Sequence, residues 1–242
     1  MEGNNTSRKN TARLAGLLYL ILAIAGFYGL MYVSRQIIVR GEAVATANNI
    51  LANEFLFRTG IVIHLISATT FLFMGFVLYK LLKQVNEHEA KLMVALVVVQ
   101  IPIVFILETC KITSLMILKG EVLKSLEPEQ LQNLAFLFLK IHGYGIMTLE
   151  IFFGLWLFPF ALLVYKSGFI PQILGVLLFI AGIGYTIDSL TSMLFPDYRT
   201  FTRIPAFTFS ALGEISTILW LLIKGVKVQK PELISPTDQR GH

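Results

Sequence analysis

The chain has 242 residues, 55% of them apolar and only 14% charged, with a mean hydropathy of +0.72. A soluble domain carries roughly 25% charged residues, so the composition excludes an ordinary water-soluble fold and leaves little chain for a separate soluble domain. The net charge of +5 and the pI of about 9.3 do not point to nucleic acid: the lysines and arginines stand at the ends of apolar runs, where positive charge sets topology. The single cysteine, Cys110, excludes an intrachain disulfide framework.

In chain order, the apolar runs are long enough to cross a hydrocarbon core about 30 Å thick, which takes about 20 residues. The expected class is all-α, a polytopic membrane helix bundle with spans at 12–33, 59–79, 92–118, 134–165, 170–194 and 205–224. The first run, Leu14 to Val33, follows Arg8, Lys9 and Arg13 and is longer than a secretory signal core. Arg35 and Arg40 separate it from Ala43-Val44-Ala45, so it reads as a retained span. Segment 41–57 mixes Val44, Ile50, Leu51 and Phe55 with Asn48, Asn49 and Glu54 and reads as an interfacial helix. Pro102 and Pro159 are expected kink points, since each removes a backbone hydrogen bond. Ser125, with Glu127 and Glu129 after it, has helix-start chemistry. Gly168 and Pro171 punctuate the short joint between the fourth and fifth spans. Glycines 26 and 29, 143 and 145, and 182 and 184 are expected to let helices pack closely.

The domain division that follows is a polar tail at 1–11, a six-span membrane domain at 12–226 and a polar, disordered tail at 227–242. Orientation comes from the cations. With both ends inside, eleven lysines and arginines fall on inside segments and seven on outside loops, which favours N-in and C-in.

Eight ionisable residues fall well within the expected spans: His64, Glu108, Lys111, Lys140, His142, Glu150, Asp188 and Glu214. A charge near the bilayer centre costs about 2.5–3.5 kcal/mol on an insertion scale. Several together are therefore expected to meet in the bundle interior, most of them in the outer half. Gly60, His64, Ser67 and Ala68 share one stripe of the second span. Gln100 and Lys111 share a face of the third, and Tyr185, Asp188 and Ser192 share one of the fifth. His142 and Glu150 diverge by about 80°, so only one of them faces the cluster squarely. Four acids against two lysines leave negative charge to be met by protonated acids, protonated histidines or a bound cation.

Three readings of that cluster follow. Ion pairs such as Glu108 with Lys140, or Asp188 with Lys111, would serve helix packing alone. A pocket would hold a polar small molecule or lipid headgroup. His64, His142 and Glu108 would ligate a divalent metal, the one cofactor these residues suggest, although no H-E-x-x-H or similar spacing is present. Nor is there a nucleophile elbow, phosphate loop or dinucleotide fingerprint.

The run His142-Gly143-Tyr144-Gly145, then Ile151-Phe152-Phe153-Gly154-Leu155-Trp156-Leu157, Val164-Tyr165-Lys166-Ser167-Gly168-Phe169-Ile170-Pro171 and Ile173-Leu174-Gly175-Val176-Leu177 resembles the prokaryotic membrane family catalogued as domain of unknown function 4386. Ala12-Arg13-Leu14-Ala15-Gly16, Leu194-Phe195-Pro196-Asp197-Tyr198 and Gly213-Glu214 fit it as well, so the resemblance covers nearly the whole chain apart from the tails. It implies a six-span bacterial or archaeal protein of the cytoplasmic membrane and carries no catalytic residue over to this chain. His142, Asp188 and Glu214 fall inside the family-like stretches, whereas Lys140 and Glu150 stand where other members often carry something uncharged.

The leading expectation is a binding or transport-like role at a polar pocket opening to the outer half. Its lining would be His64, Glu108, His142, Asp188 and Glu214, with Lys111 as charge partner, Tyr144 as a further ligand candidate and Lys140, Glu150 and Tyr185 as secondary ones. The first alternative is a metal-dependent intramembrane enzyme with both histidines and a carboxylate as ligands and another acid as general base. The second is a structural or accessory subunit of a membrane complex. The expected partners are the bilayer, a lipid or polar small-molecule ligand and, six spans being few for a translocation pathway, a second copy; nucleic acid is not expected.

Overall fold

The computed structural model describes residues 2–226; the expected C-terminal tail lies outside them. Every regular element among the described residues is helical, and six helical stretches are long and apolar enough to cross a membrane. They are Thr6–Ile37, Glu54–Leu82, Glu87–Leu118, Pro128–Lys166, Gln172–Leu194 and Pro196–Ile223, here the first to sixth spans. The chain is an integral membrane protein built as the apolar runs predict. In hydrocarbon the backbone must satisfy its own hydrogen bonds, which leaves helices as the solution for such runs. Their outer faces carry large apolar residues such as Ile24, Ile106 and Ile204, each more than half exposed by the bundle.

The ends of the spans follow local chemistry. Asn86 caps the third span, its side chain accepting from the backbone of Glu89 at 3.2 Å, with Glu87 and Glu89 at the positive end of the helix. The fourth span starts on a capping box between Glu127 and Gln130, not on Ser125 as expected. Pro128 takes the first helical position, where its missing N–H costs nothing, so the cap falls to the residue before it. Ala43–Ala52 forms the expected short helix, ending at Asn53, where the backbone leaves helical geometry before the second span begins at Glu54. The sixth span starts earlier than expected, through a 3-10 turn at Pro196–Tyr198, and carries Pro205 inside it.

Two interruptions shape the interior. The fourth span breaks at Trp156, between helices Pro128–Leu155 and Leu157–Lys166; Pro159 cannot donate to the carbonyl of Leu155, and its ring crowds that turn. The third span continues through Pro102 without a break in its helix. The first span contains a π-helical stretch, Phe27–Tyr32, which no residue pattern announced.

Each span packs on its neighbours in the chain, and the first closes the ring against the sixth. A core of Tyr19, Phe71, Met74, Trp156 and Phe160 fills one half, with Trp156 stacked on Phe160 at 5.4 Å. Two smaller apolar groups lie in the other half. One contains Val33, Phe57, Ile61, Leu115 and Leu139. The other contains Ala68, Val104, Leu107 and Leu149. The sequence positions between these two groups on the second, third and fourth spans hold the polar residues described next.

Candidate functional site

His64 comes from the second span, Glu108 and Lys111 from the third and His142 from the fourth. Nδ1 of His64 lies 2.5 Å from Oε1 of Glu108, and Nε2 of His142 lies 2.9 Å from the same oxygen. Lys111, one turn along from Glu108, donates to that oxygen as well, at 3.2 Å. The four residues are 4%, 1%, 3% and 6% exposed in the order His64, Glu108, Lys111, His142. The other carboxylate oxygen, Oε2, is also enclosed and accepts no hydrogen bond from the described residues.

Small residues set this geometry. A Cβ on Gly29 of the first span would stand 2.8 Å from both the carbonyl oxygen of Gly60 and Cβ of His64. The bare backbone there lets the first span lie against His64. One turn on, Ser67 donates to the carbonyl of Leu22 at 3.0 Å and ties the same two spans together. On the other side, a Cβ on Gly145 would meet the side chain of Leu107 at 2.1 Å. Its absence brings the fourth span close enough for His142 to reach Glu108. Pro128–Lys166 is tied to the fifth span by Ser189, which donates to the carbonyl of Met147 at 2.6 Å.

The remaining candidates fall elsewhere. Glu214 accepts from the hydroxyl of Tyr19 at 2.6 Å and of Tyr185 at 3.0 Å, a separate network between the first, fifth and sixth spans. Asp188 accepts from Thr202 at 2.6 Å. Glu150 lies within electrostatic reach of Arg203, Asp188 and Arg199; its Oε2 and Nε of Arg199 are buried without hydrogen-bond partners. Tyr144 is 62% exposed and Lys140 is exposed, its ammonium 5.4 Å from the ring centre of Phe136. Both stand two residues from His142, about 200° around the helix, and so face away from it. The expected pairs Glu108–Lys140 and Asp188–Lys111 are therefore not the pairs formed: Glu108 takes Lys111, and Asp188 takes a hydroxyl. One interior cluster was expected, and the described residues form three polar groups.

Tyr19 and Thr202 are partners that the sequence reading passed over. A phenol in the middle of an apolar span was a usable signal, because a buried tyrosine hydroxyl ordinarily finds a partner. Thr202 carried none, lying in a segment read as a loop.

The first group has its own chemistry. Glu108 ionised and Lys111 charged are balanced, so a neutral interior needs no further charge from the histidines. The donors, however, are distributed unevenly. An sp² oxygen offers two lone-pair directions, yet three nitrogens converge on Oε1 and none on Oε2. Lys111 also borders a small cavity of about 10 Å³ lined by Val33, Ser34, Ile37, Ile38 and Phe57. A larger groove of about 380 Å³ lies away from the group, against the fourth and fifth spans, and is lined by apolar residues such as Phe158, Leu162 and Phe179.

A family model described as Domain of unknown function (DUF4386) matches residues 14–225. Over 96 residues the chain is 45% identical to a protein of Archaeoglobus fulgidus described as an uncharacterized protein. That stretch is 38% of this chain and 56% of the relative, so the chain spans little more than half the length of the curated relative it matches. No solved structure matches the chain.

Proposed function

The chain belongs to the DUF4386 family, and from that premise we propose that it is a binding protein of the prokaryotic cytoplasmic membrane whose ligand sits at His64, Glu108, Lys111 and His142. The observation that carries this reading is the uneven carboxylate: three donors on one oxygen of Glu108 and none on the other, in a site almost closed to solvent. A purely structural ion pair has no need of that arrangement. Spreading the donors over both oxygens would satisfy the same groups with less crowding. The archaeal source of the relative supports a prokaryotic setting.

Enclosure decides the size of ligand. All four residues are buried, with apolar groups along the spans to either side. An ion or other very small polar species enters such a site with side-chain shifts alone, whereas a lipid headgroup would require the second and fourth spans to separate. Tyr144 and Lys140, which face away, are not part of the proposed site.

Native mass spectrometry of protein purified in mild detergent tests this directly. The expected result is mass retained beyond the polypeptide in the wild type and in Lys140→Ala, and lost in His142→Ala. If the three proteins carry the same mass as the bare chain, the group is structural and the binding reading fails.

A further inference from the structure

We infer that the ligand of this site is a divalent transition-metal ion of the zinc class, held by Nδ1 of His64, Oε1 of Glu108 and Nε2 of His142. The inference rests on the binding reading above and names its ligand.

The three atoms come from three different spans, all lie within 4.8 Å of one another, and each belongs to a buried residue. Two imidazoles and one carboxylate form the donor set of many three-ligand metal sites, which leave further positions for water or substrate. Imidazole nitrogen separates this set from the all-oxygen cages preferred by calcium and magnesium. Ligand bonds of about 2.0–2.1 Å place neighbouring donors of a tetrahedral site about 3.3 Å apart. The contacts of 2.5 and 2.9 Å to Oε1 reach that spacing with side-chain shifts of less than about 1 Å. A cation at the common point also accounts for the two imidazoles at Oε1: their nitrogens face a shared centre, not separate lone pairs. Oε2 is left free to complete the coordination or to take a hydrogen bond from a bound water.

Helical bundles build metal sites in this manner, from side chains on facing helices, and the positions here, 44 and 34 residues away from Glu108 in the chain, explain why no short motif marks it. The apolar groups on either side keep water scarce, which strengthens ligation.

Among the described residues around the site, Lys111 is the group that opposes a metal. Its ammonium shares Oε1 at 3.2 Å, and a dication at the same oxygen repels it. Lys111 acts as a tethered competitor, and its stem can swing toward the cavity at Ser34. Removing it strengthens metal binding by at least about tenfold.

The test measures metal content of detergent-purified protein by elemental mass spectrometry, before and after exposure to zinc, cobalt, nickel, iron and manganese in turn. X-ray absorption is then recorded on whichever metal is retained. The expected result is about one equivalent per chain, with imidazole scattering in the first coordination shell, sharply reduced in His142→Ala and Glu108→Gln and tighter in Lys111→Met. The absorption spectrum of the wild type keeps the inference falsifiable if the variants do not fold. No metal retained under any condition overturns it, as does an equal metal content in wild type and His142→Ala, which marks adventitious binding. A retained organic molecule lost in His142→Ala, with no metal, overturns the metal while preserving the binding reading; no retained mass of any kind removes both.

Discussion

Glu108 meets two histidines and a lysine in a site almost closed to solvent, and the consequences of substitution follow from that. Glu108→Ala leaves the ammonium of Lys111 buried without a counter-ion, which is expected to cost about 3–5 kcal/mol. Replacing both members, as in Glu108→Leu with Lys111→Met, removes the uncompensated charge and is expected to recover most of that loss. Denaturant unfolding of the single and double variants in detergent gives the coupling directly; additive effects would mean that the pair is not a working unit. The second network makes a cleaner case, because Glu214 has two hydroxyl partners. Tyr19→Phe removes the bond at 2.6 Å and leaves one carboxylate oxygen short, an expected loss of about 1–3 kcal/mol. Tyr32→Phe, at an exposed ring stacked on Tyr28, should leave the same unfolding curve unchanged.

At the scale of elements, the glycines separate those that position the site from those that do not. Gly29→Ala forces a methyl group onto the backbone of Gly60 and onto His64. It is expected to destabilise the bundle by about 1–3 kcal/mol and to weaken ligand retention, because the second span must move with His64. Gly143→Ala meets nothing within 4 Å and should be neutral or stabilising by about 0.5–1 kcal/mol, by helix propensity alone. Thermal unfolding of both variants decides it, and equal effects would sink the assignment of Gly29 as a spacer. The sequence announced close packing at Gly29, Gly145 and Gly182 but could not distinguish Gly143, since which face of a helix meets a neighbour depends on the neighbour. Pro159 was legible as a kink point because its missing donor acts locally, but Pro102 carried the same signal and its helix continues unbroken. The π-helical stretch at Phe27–Tyr32 was not, because its residues are as apolar as any other turn of the first span.

At the scale of the whole molecule, the six spans were legible because bilayer thickness imposes one length on every crossing. The cost of a charge in hydrocarbon was enough to place His64, Glu108 and His142 together in the bundle interior from the sequence alone. The two-residue offset from His142 that turns Tyr144 and Lys140 outward was open to the same helical arithmetic, but the neighbours that give Glu214 and Asp188 partners of their own depend on how the helices pack and were not readable. The orientation of the bundle remains a matter of charge, and its margin has a definite source. Of the eleven cations expected inside, Lys227, Lys230 and Arg240 lie beyond the described residues; without them the two sides carry eight and seven. Partial pairing of outside cations, as in Arg58 and Lys119 with Glu54, does not alter the count, because orientation follows lysine and arginine more than net charge. In a Cys110→Ser background, a membrane-impermeant maleimide should therefore label Val122→Cys in intact cells and Gln84→Cys only after permeabilisation. The reverse pattern would overturn the N-in, C-in arrangement. Changing Lys227, Lys230 and Arg240 to glutamine should leave a mixed population with both sites partly labelled, and an undiminished single orientation would show that the first span, with Arg8, Lys9 and Arg13 ahead of it, sets the topology without help from the C-terminal end.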